Sequence, residues 1–171
     1  LREKDNGIYD GINKGIRRAT GDIIAILNGD DLLADKTVLS DIAAVFEASG
    51  SDCVYGDLVY VDADRPDQVV RYWKSGTWRR SALGTGWMPP HPAFFARRSM
   101  YERYGYYDAR FKIAADYDWM LRVISQKSTS VSYVERICVK MRLGGTSNRS
   151  VSAMIRKSAE DLRACSINKM P

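Results

Sequence analysis

Apolar residues recur at Ile8, Ile12 and Ile16, a fourfold spacing that stacks them on one helical face, and Gly21 follows where such a helix would stop. The next run, Ile23 to Leu27, is continuous and of strand length, which predicts a parallel strand buried on both faces. It ends abruptly in Asn28, Gly29, Asp30 and Asp31. Val38, Leu39, Ile42, Val45 and Phe46 return with helical period and predict a second amphipathic helix over 35–49, closed by Gly50. Val, Tyr and Trp over 52–62 and 68–73, around a turn-rich stretch with Pro66, predict two antiparallel strands.

Two glycines and three prolines make 84–92 an irregular loop, which carries the single histidine, His91. A short strand over 93–96 and a short helix over 99–104 follow. The next helix runs over 116–126, with Tyr117, Met120, Leu121 and Ile124 on one side and Asp116 in its first turn. Partial alternation predicts a strand over 130–142. A polar loop over 144–150 leads into a final amphipathic helix over 151–167, for which Met154, Ile155, Ala159 and Leu162 are expected to face inward. Helix, buried strand, helix and strand in succession predict an α/β domain with a mixed, mostly parallel sheet.

Composition narrows the class. Apolar residues at 45% and charged residues at 27% are the balance of a folded domain, and no apolar run approaches the ~20 residues a membrane-spanning helix needs. The three cysteines are scattered, without a metal-ligand partner nearby, and read as free thiols of a reducing, cytoplasmic setting. The formal charge of +5 is contributed by 135–171, where eight Lys or Arg stand against three Asp or Glu. Such a segment suits a solvated helix face or peripheral contact with an anionic membrane. No motif supports nucleic-acid binding. Because the chain opens on Leu1 with no strand ahead of its first helix, the expectation is a single domain over 1–171 that lacks one or more N-terminal strands.

Asp30 and Asp31 hold the first position in which chemistry is sought, since ligands of open α/β sheets bind beyond the carboxyl ends of strands. Paired carboxylates there suit Mg²⁺ or Mn²⁺, which takes oxygen ligands and leaves positions for phosphate. A plain Asp-Gly turn explains the same residues. Asp116 reads either as a base or as a helix N-cap.

Two segments, DNGIYDGINKGIRRATGDIIAILNGDD (5–31) and FKIAADYDWMLRV (111–123), resemble those of the inverting glycosyltransferases of the GT-A fold, in particular the family 2 group of bacterial polysaccharide enzymes. The resemblance covers nearly the whole chain. Asn28 stands where the family's Asp-x-Asp motif has its first acid, so the resemblance makes Asp30 and Asp31 the metal carriers, with Asp30 also meeting the donor. It implies that Asp116 is the catalytic base, with Ala115 replacing a frequent Glu. It further implies donor contacts from Asp5, Asn13, Lys14, Arg142 and Ser147, the last two around the loop that follows the strand. His91, Trp87 and Asp118 are implied on the acceptor side. The implied activity is transfer from a nucleotide diphosphate sugar, most simply a UDP-sugar, to a hydroxyl of a saccharide or lipid-linked acceptor in surface polysaccharide synthesis. The rival readings are a sugar nucleotidyltransferase, whose Gly-rich basic signature is missing from these residues, and a non-catalytic sugar-nucleotide-binding scaffold.

Overall fold

The structure is a computed structural model and describes residues 3–143 and 151–170, with side chains in the second stretch from Met154 onward. The first helix, α1 (Ile8–Arg18), leads to strand β1 (Ile23–Ala25) and, after the acidic turn, to β2 (Leu32–Leu33). Helix α2 (Val38–Ser49) precedes the hairpin β3 (Cys53–Val61) and β4 (Val69–Trp73). Two 3-10 turns, Arg80–Thr85 and His91–Ala93, lead to β5 (Phe94–Arg97), α3 (Arg98–Tyr104), α4 (Ala115–Ile124), β6 (Val131–Arg142) and α5 (Val151–Ile167).

The sheet order is β1-β5-β3-β6-β2, with β4 also paired to β3. β3 and β6 form the long parallel pair at its centre, registered from Cys53↔Val131 to Val61↔Arg142. β5 lies antiparallel between β1 and β3, so β1, β3 and β6 run one way while β2, β4 and β5 run the other. Alternation along the strands serves two cores. Cys53, Tyr55, Phe94 and Ala96 face α1, α3, α4 and α5. Val54, Leu58, Phe95 and Val139 face Val38, Ile42 and Phe46 of α2.

Gly56 is where β3 and β6 approach most closely, since a Cβ there would stand 2.3 Å from Cys138 Sγ and 3.0 Å from the Arg136 carbonyl oxygen. Gly50 ends α2 in the left-handed region at φ 65°, its N–H returning to the Phe46 carbonyl. Among the described residues no helix is long and apolar enough to cross a membrane.

Three expectations from periodicity are corrected. α1 turns Tyr9, Asn13 and Ile16 inward, while Ile8 is 63% exposed. Asn13 draws the helix round, because its side chain donates to the Tyr107 carbonyl and accepts from the Tyr107 N–H. β1 is an edge strand paired antiparallel, not a parallel strand buried on both faces; beside it Ile12, Ile16, Ile23 and Leu27 line an open apolar groove. On α5 the expected inward face is outward: Met154, Ile155 and Leu162 are 58%, 66% and 72% exposed. The helix instead turns Glu160, Ala164 and Asn168 toward the body.

Candidate active site

The chain beyond β1 makes a tight turn in which the Asp31 N–H donates to the Asn28 carbonyl and the Asn28 side-chain amide donates to Asp31 Oδ2 at 3.0 Å. Asp30 is left exposed and Asp31 is buried. β2 then pairs with Val139 and Lys140 of β6, which brings Asp31 to the end of that strand, close to the Arg142 N–H. Burial pushes the Asp31 carboxyl above the usual carboxylate range; the Asn28 amide opposes this, the Asp30 charge adds to it, and the Arg142 N–H and His91 oppose it. Arg142 Nε is buried without a hydrogen-bond partner among the described residues.

His91 also faces Asp116, the first-turn acid of α4. Its Nδ1 lies 3.4 Å from Asp116 Oδ2, and its Nε2 lies 3.1 Å from the Tyr107 hydroxyl. The other carboxylate oxygen, Asp116 Oδ1, is 3.1 Å from the Tyr9 hydroxyl, whose proton is shared with the Ile113 carbonyl at 2.5 Å. Burial, and then the Asp116 charge, push the Tyr9 hydroxyl far above its ordinary range, so it stays neutral and serves as a donor. Asp116 is therefore not an N-cap. The N-cap is Ala114, and the N–H groups of the segment leading into the helix, those of Lys112, Ile113 and Ala114, are taken by Glu160 of α5 at 2.8–3.0 Å.

Asp116 and His91 open into a cleft of about 360 Å³ whose other walls include Trp73, Met88, Tyr117 and Met120, with Lys157 and Asp161 contributed by α5. Trp73 is held at the rim by a buried anchor: Asp57, fully buried on β3, accepts from the Tyr72 and Tyr133 hydroxyls and the Ser75 N–H. Two acidic centres thus face one histidine, Asp116 by contact and Asp31 through its charge.

His91 is brought against Asp116 in the cleft and Arg142 beside Asp31, with the His91 charge felt at Asp31. Other residues singled out from the sequence are not brought to the site. Asp118 is buried away from the cleft, accepting from Arg122 at 2.5 Å and Asn168 at 2.9 Å, because two positions along a helix turn a side chain to another face. Trp87 packs against Trp78 and Tyr55 at ring-centroid distances of 5.8 and 5.9 Å, leaving its neighbours Gly86 and Met88 to line the cleft. Asn13 is spent on the Tyr107 backbone. Lys14 donates to the Lys4 carbonyl and pairs with Asp10, and Asp5 accepts from the Gly7 N–H, so both serve the start of α1. Ser147 lies outside the described residues. No sequence pattern marks Tyr9, Tyr107, Lys157 or Asp161: Tyr9 reaches Asp116 across 107 residues, Tyr107 reaches His91 across 16, and Lys157 and Asp161 come from a helix whose apolar face is turned outward.

The mixed sheet, with an acidic turn after β1 and Asp116 in a cleft at the start of α4, is a GT-A-like fold. That fold is matched by TarS of S. aureus in complex with UDP, at a TM-score of 0.68 and 16% identity over 98% of this chain and 46% of that one. TarS in complex with UDP-GlcNAc gives 0.67 and 15% over 98% and 52%. The chain belongs to glycosyl transferase family 2, whose model matches residues 1–128. It is 30% identical over 152 residues to a PGL/p-HBAD biosynthesis glycosyltransferase of Mycobacterium bovis, covering 88% of this chain and 57% of the relative. It is 32% identical over 125 residues to an uncharacterized glycosyltransferase of Mycobacterium tuberculosis, covering 70% of this chain and 45% of the relative. The chain thus spans about half the length of the curated relatives it matches.

Proposed function

We propose that the chain carries out inverting transfer of a sugar from a nucleoside diphosphate donor to an acceptor hydroxyl, with Asp116 as the base. The observation that carries this reading is the Asp116 carboxylate, fixed by Tyr9 and His91 and opening into a cleft. In the reaction the acceptor oxygen bonds to the anomeric carbon, the bond from that carbon to the diphosphate oxygen breaks, and the hydroxyl proton passes to Asp116. His91 and Tyr9 orient the carboxylate so that an oxygen faces the acceptor.

On the donor side, Asp30 and Asp31 fit a divalent ion such as Mg²⁺ or Mn²⁺. They are adjacent acids, one buried, and the buried one carries an unfavourable negative charge that a cation relieves. A cation held by these two carboxylates would draw its remaining ligands from phosphate oxygens and water. A bound cation supplies charge stabilisation on the leaving diphosphate. Arg142, beside Asp31, is the cationic side chain suited to the same phosphates. A UDP-sugar donor is supported by the UDP and UDP-GlcNAc complexes of TarS. The acceptor is a saccharide, free or lipid-linked. Peripheral contact with an anionic membrane is supported by the exposed Met154, Ile155 and Leu162 beside Arg156 and Arg163 of α5.

Asp116→Asn tests the assignment. Sugar transfer is expected to fall by about 10²-fold or more, while a UDP-sugar with Mn²⁺ still raises the melting temperature of the variant and EDTA removes that rise. Transfer at the wild-type rate in the variant overturns Asp116 as base; no turnover in either protein, with donor binding intact, identifies a binding module.

A further inference from the structure

α5 is built against the usual rule for a surface helix. Its large apolar residues Met154, Ile155 and Leu162 point to solvent, while Glu160 and Asp161 turn toward the body of the protein and the half-exposed Lys157 reaches over the cleft. A charged side chain turned inward has to be satisfied there. Glu160 is satisfied by the three N–H groups ahead of α4, and Asn168, on the same side, by Asp118. Lys157 and Asp161 have no such structural partner. They pair with each other at 2.5 Å, and both line the cleft that holds Asp116. Asp161 Oδ1 is buried and has no hydrogen-bond partner among the described residues. A one-turn ion pair contributes only ~0.5 kcal/mol to a helix, which does not account for placing it in a cleft.

We infer that Lys157 and Asp161 form the acceptor-recognition pair of this cleft and select a neutral, polyhydroxylated acceptor such as a pyranoside. The inference rests on the sugar-transfer reading and names the substrate class that site takes. Adjacent ring hydroxyls match the pair: one oxygen accepts from the Lys157 ammonium, and the neighbouring hydroxyl donates to the unpartnered Asp161 Oδ1. The ring's C–H face lies against the apolar walls of Trp73, Tyr117 and Met120 while a further hydroxyl meets Asp116. A neutral ring keeps the ion pair intact, whereas an acceptor carboxylate competes with Asp161 for Lys157 and leaves the Asp161 charge unpaired, and an acceptor ammonium does the same to Lys157. A site that hydrogen-bonds hydroxyls discriminates strongly, because a wrong ligand leaves buried polar groups unpaired.

The test measures binding of p-nitrophenyl glucoside, mannoside, rhamnoside and glucuronide by saturation-transfer NMR and titration, with UDP and Mn²⁺ present. Wild type is compared with Lys157→Met and Asp161→Asn, each checked for folding by circular dichroism. In parallel, the thermal shift given by a panel of UDP-sugars is read for all three proteins. At least one neutral glycoside is expected to bind wild type about tenfold or more tightly than the glucuronide. Both substitutions are expected to weaken that glycoside by about tenfold, and Asp161→Asn to narrow the preference against the glucuronide. If no UDP-sugar stabilises the wild-type chain, the transfer reading falls and this inference with it. If UDP-sugars do stabilise it, the acceptor inference alone is overturned by any of three results: no glycoside binds, the glucuronide binds as well as the best neutral one, or the variants bind as wild type does.

Discussion

The base role proposed for Asp116 rests on its neighbours, not on its position in a helix. A first-turn aspartate commonly caps its own helix, but here Ala114 holds the N-cap position and Asp116 lies inside the first turn, its carboxylate directed to Tyr9, His91 and the cleft. Asp118, two residues on, has the same side chain and no access to the cleft, which shows how much the 100° step of the helix decides. The sequence pattern marks both acids equally; only their surroundings separate a base from a buried anchor. Gly56 is a second residue whose importance is spatial, since nothing in the run Val54-Tyr55-Gly56-Asp57 announces that Cys138 comes against it. Gly56→Ala forces a methyl into the β3–β6 contact. It is expected to destabilise the chain by about 1–3 kcal/mol in chemical denaturation; a variant as stable as wild type would contradict the close approach.

At the scale of elements, α5 is tied to the catalytic loop through a single carboxylate. Burial works against the charged form of Glu160, but the N–H groups of Ile113, Lys112 and Ala114 outweigh it and hold the carboxyl below its usual range. The resulting stabilisation is present above the unfolded-state value of about 4.3 and is lost as pH falls through the lower folded value. Glu160→Gln is therefore expected to lower stability near neutral pH by about 1–3 kcal/mol, with the gap to wild type closing on acidification below about pH 4. Melting curves across pH check this, and a gap independent of pH would exclude the charged cap. The helices and strands themselves were legible from periodicity, because burying one face imposes a repeat on the chain. Which face of α1 and α5 turns inward was not. Asn13 and Glu160 each form hydrogen bonds to distant backbone groups, and a polar residue with a buried partner reads in the sequence as a surface residue.

For the whole molecule, the charge excess of 135–171 and the outward apolar face of α5 occupy the same part of the chain. Cosedimentation with vesicles rich in anionic lipid is expected to fall with added salt and with Leu162→Glu; binding that neither change reduces would rule out α5 as the contact. The sequence by itself determined the α/β class, the run of elements, and the two acidic segments that carry the family likeness, because these are local: a turn after an apolar run, or an acid at the start of a periodic helix. The tertiary structure alone decided that β1 lies at an edge, that Asp31 is buried beside Arg142 while Asp30 is not, that Tyr9 reaches Asp116, and that His91 and Asp116 share one cleft with Lys157 and Asp161. Those outcomes depend on strand order and helix rotation, which arise from packing between segments far apart in the chain and leave no repeat for a local pattern to reveal.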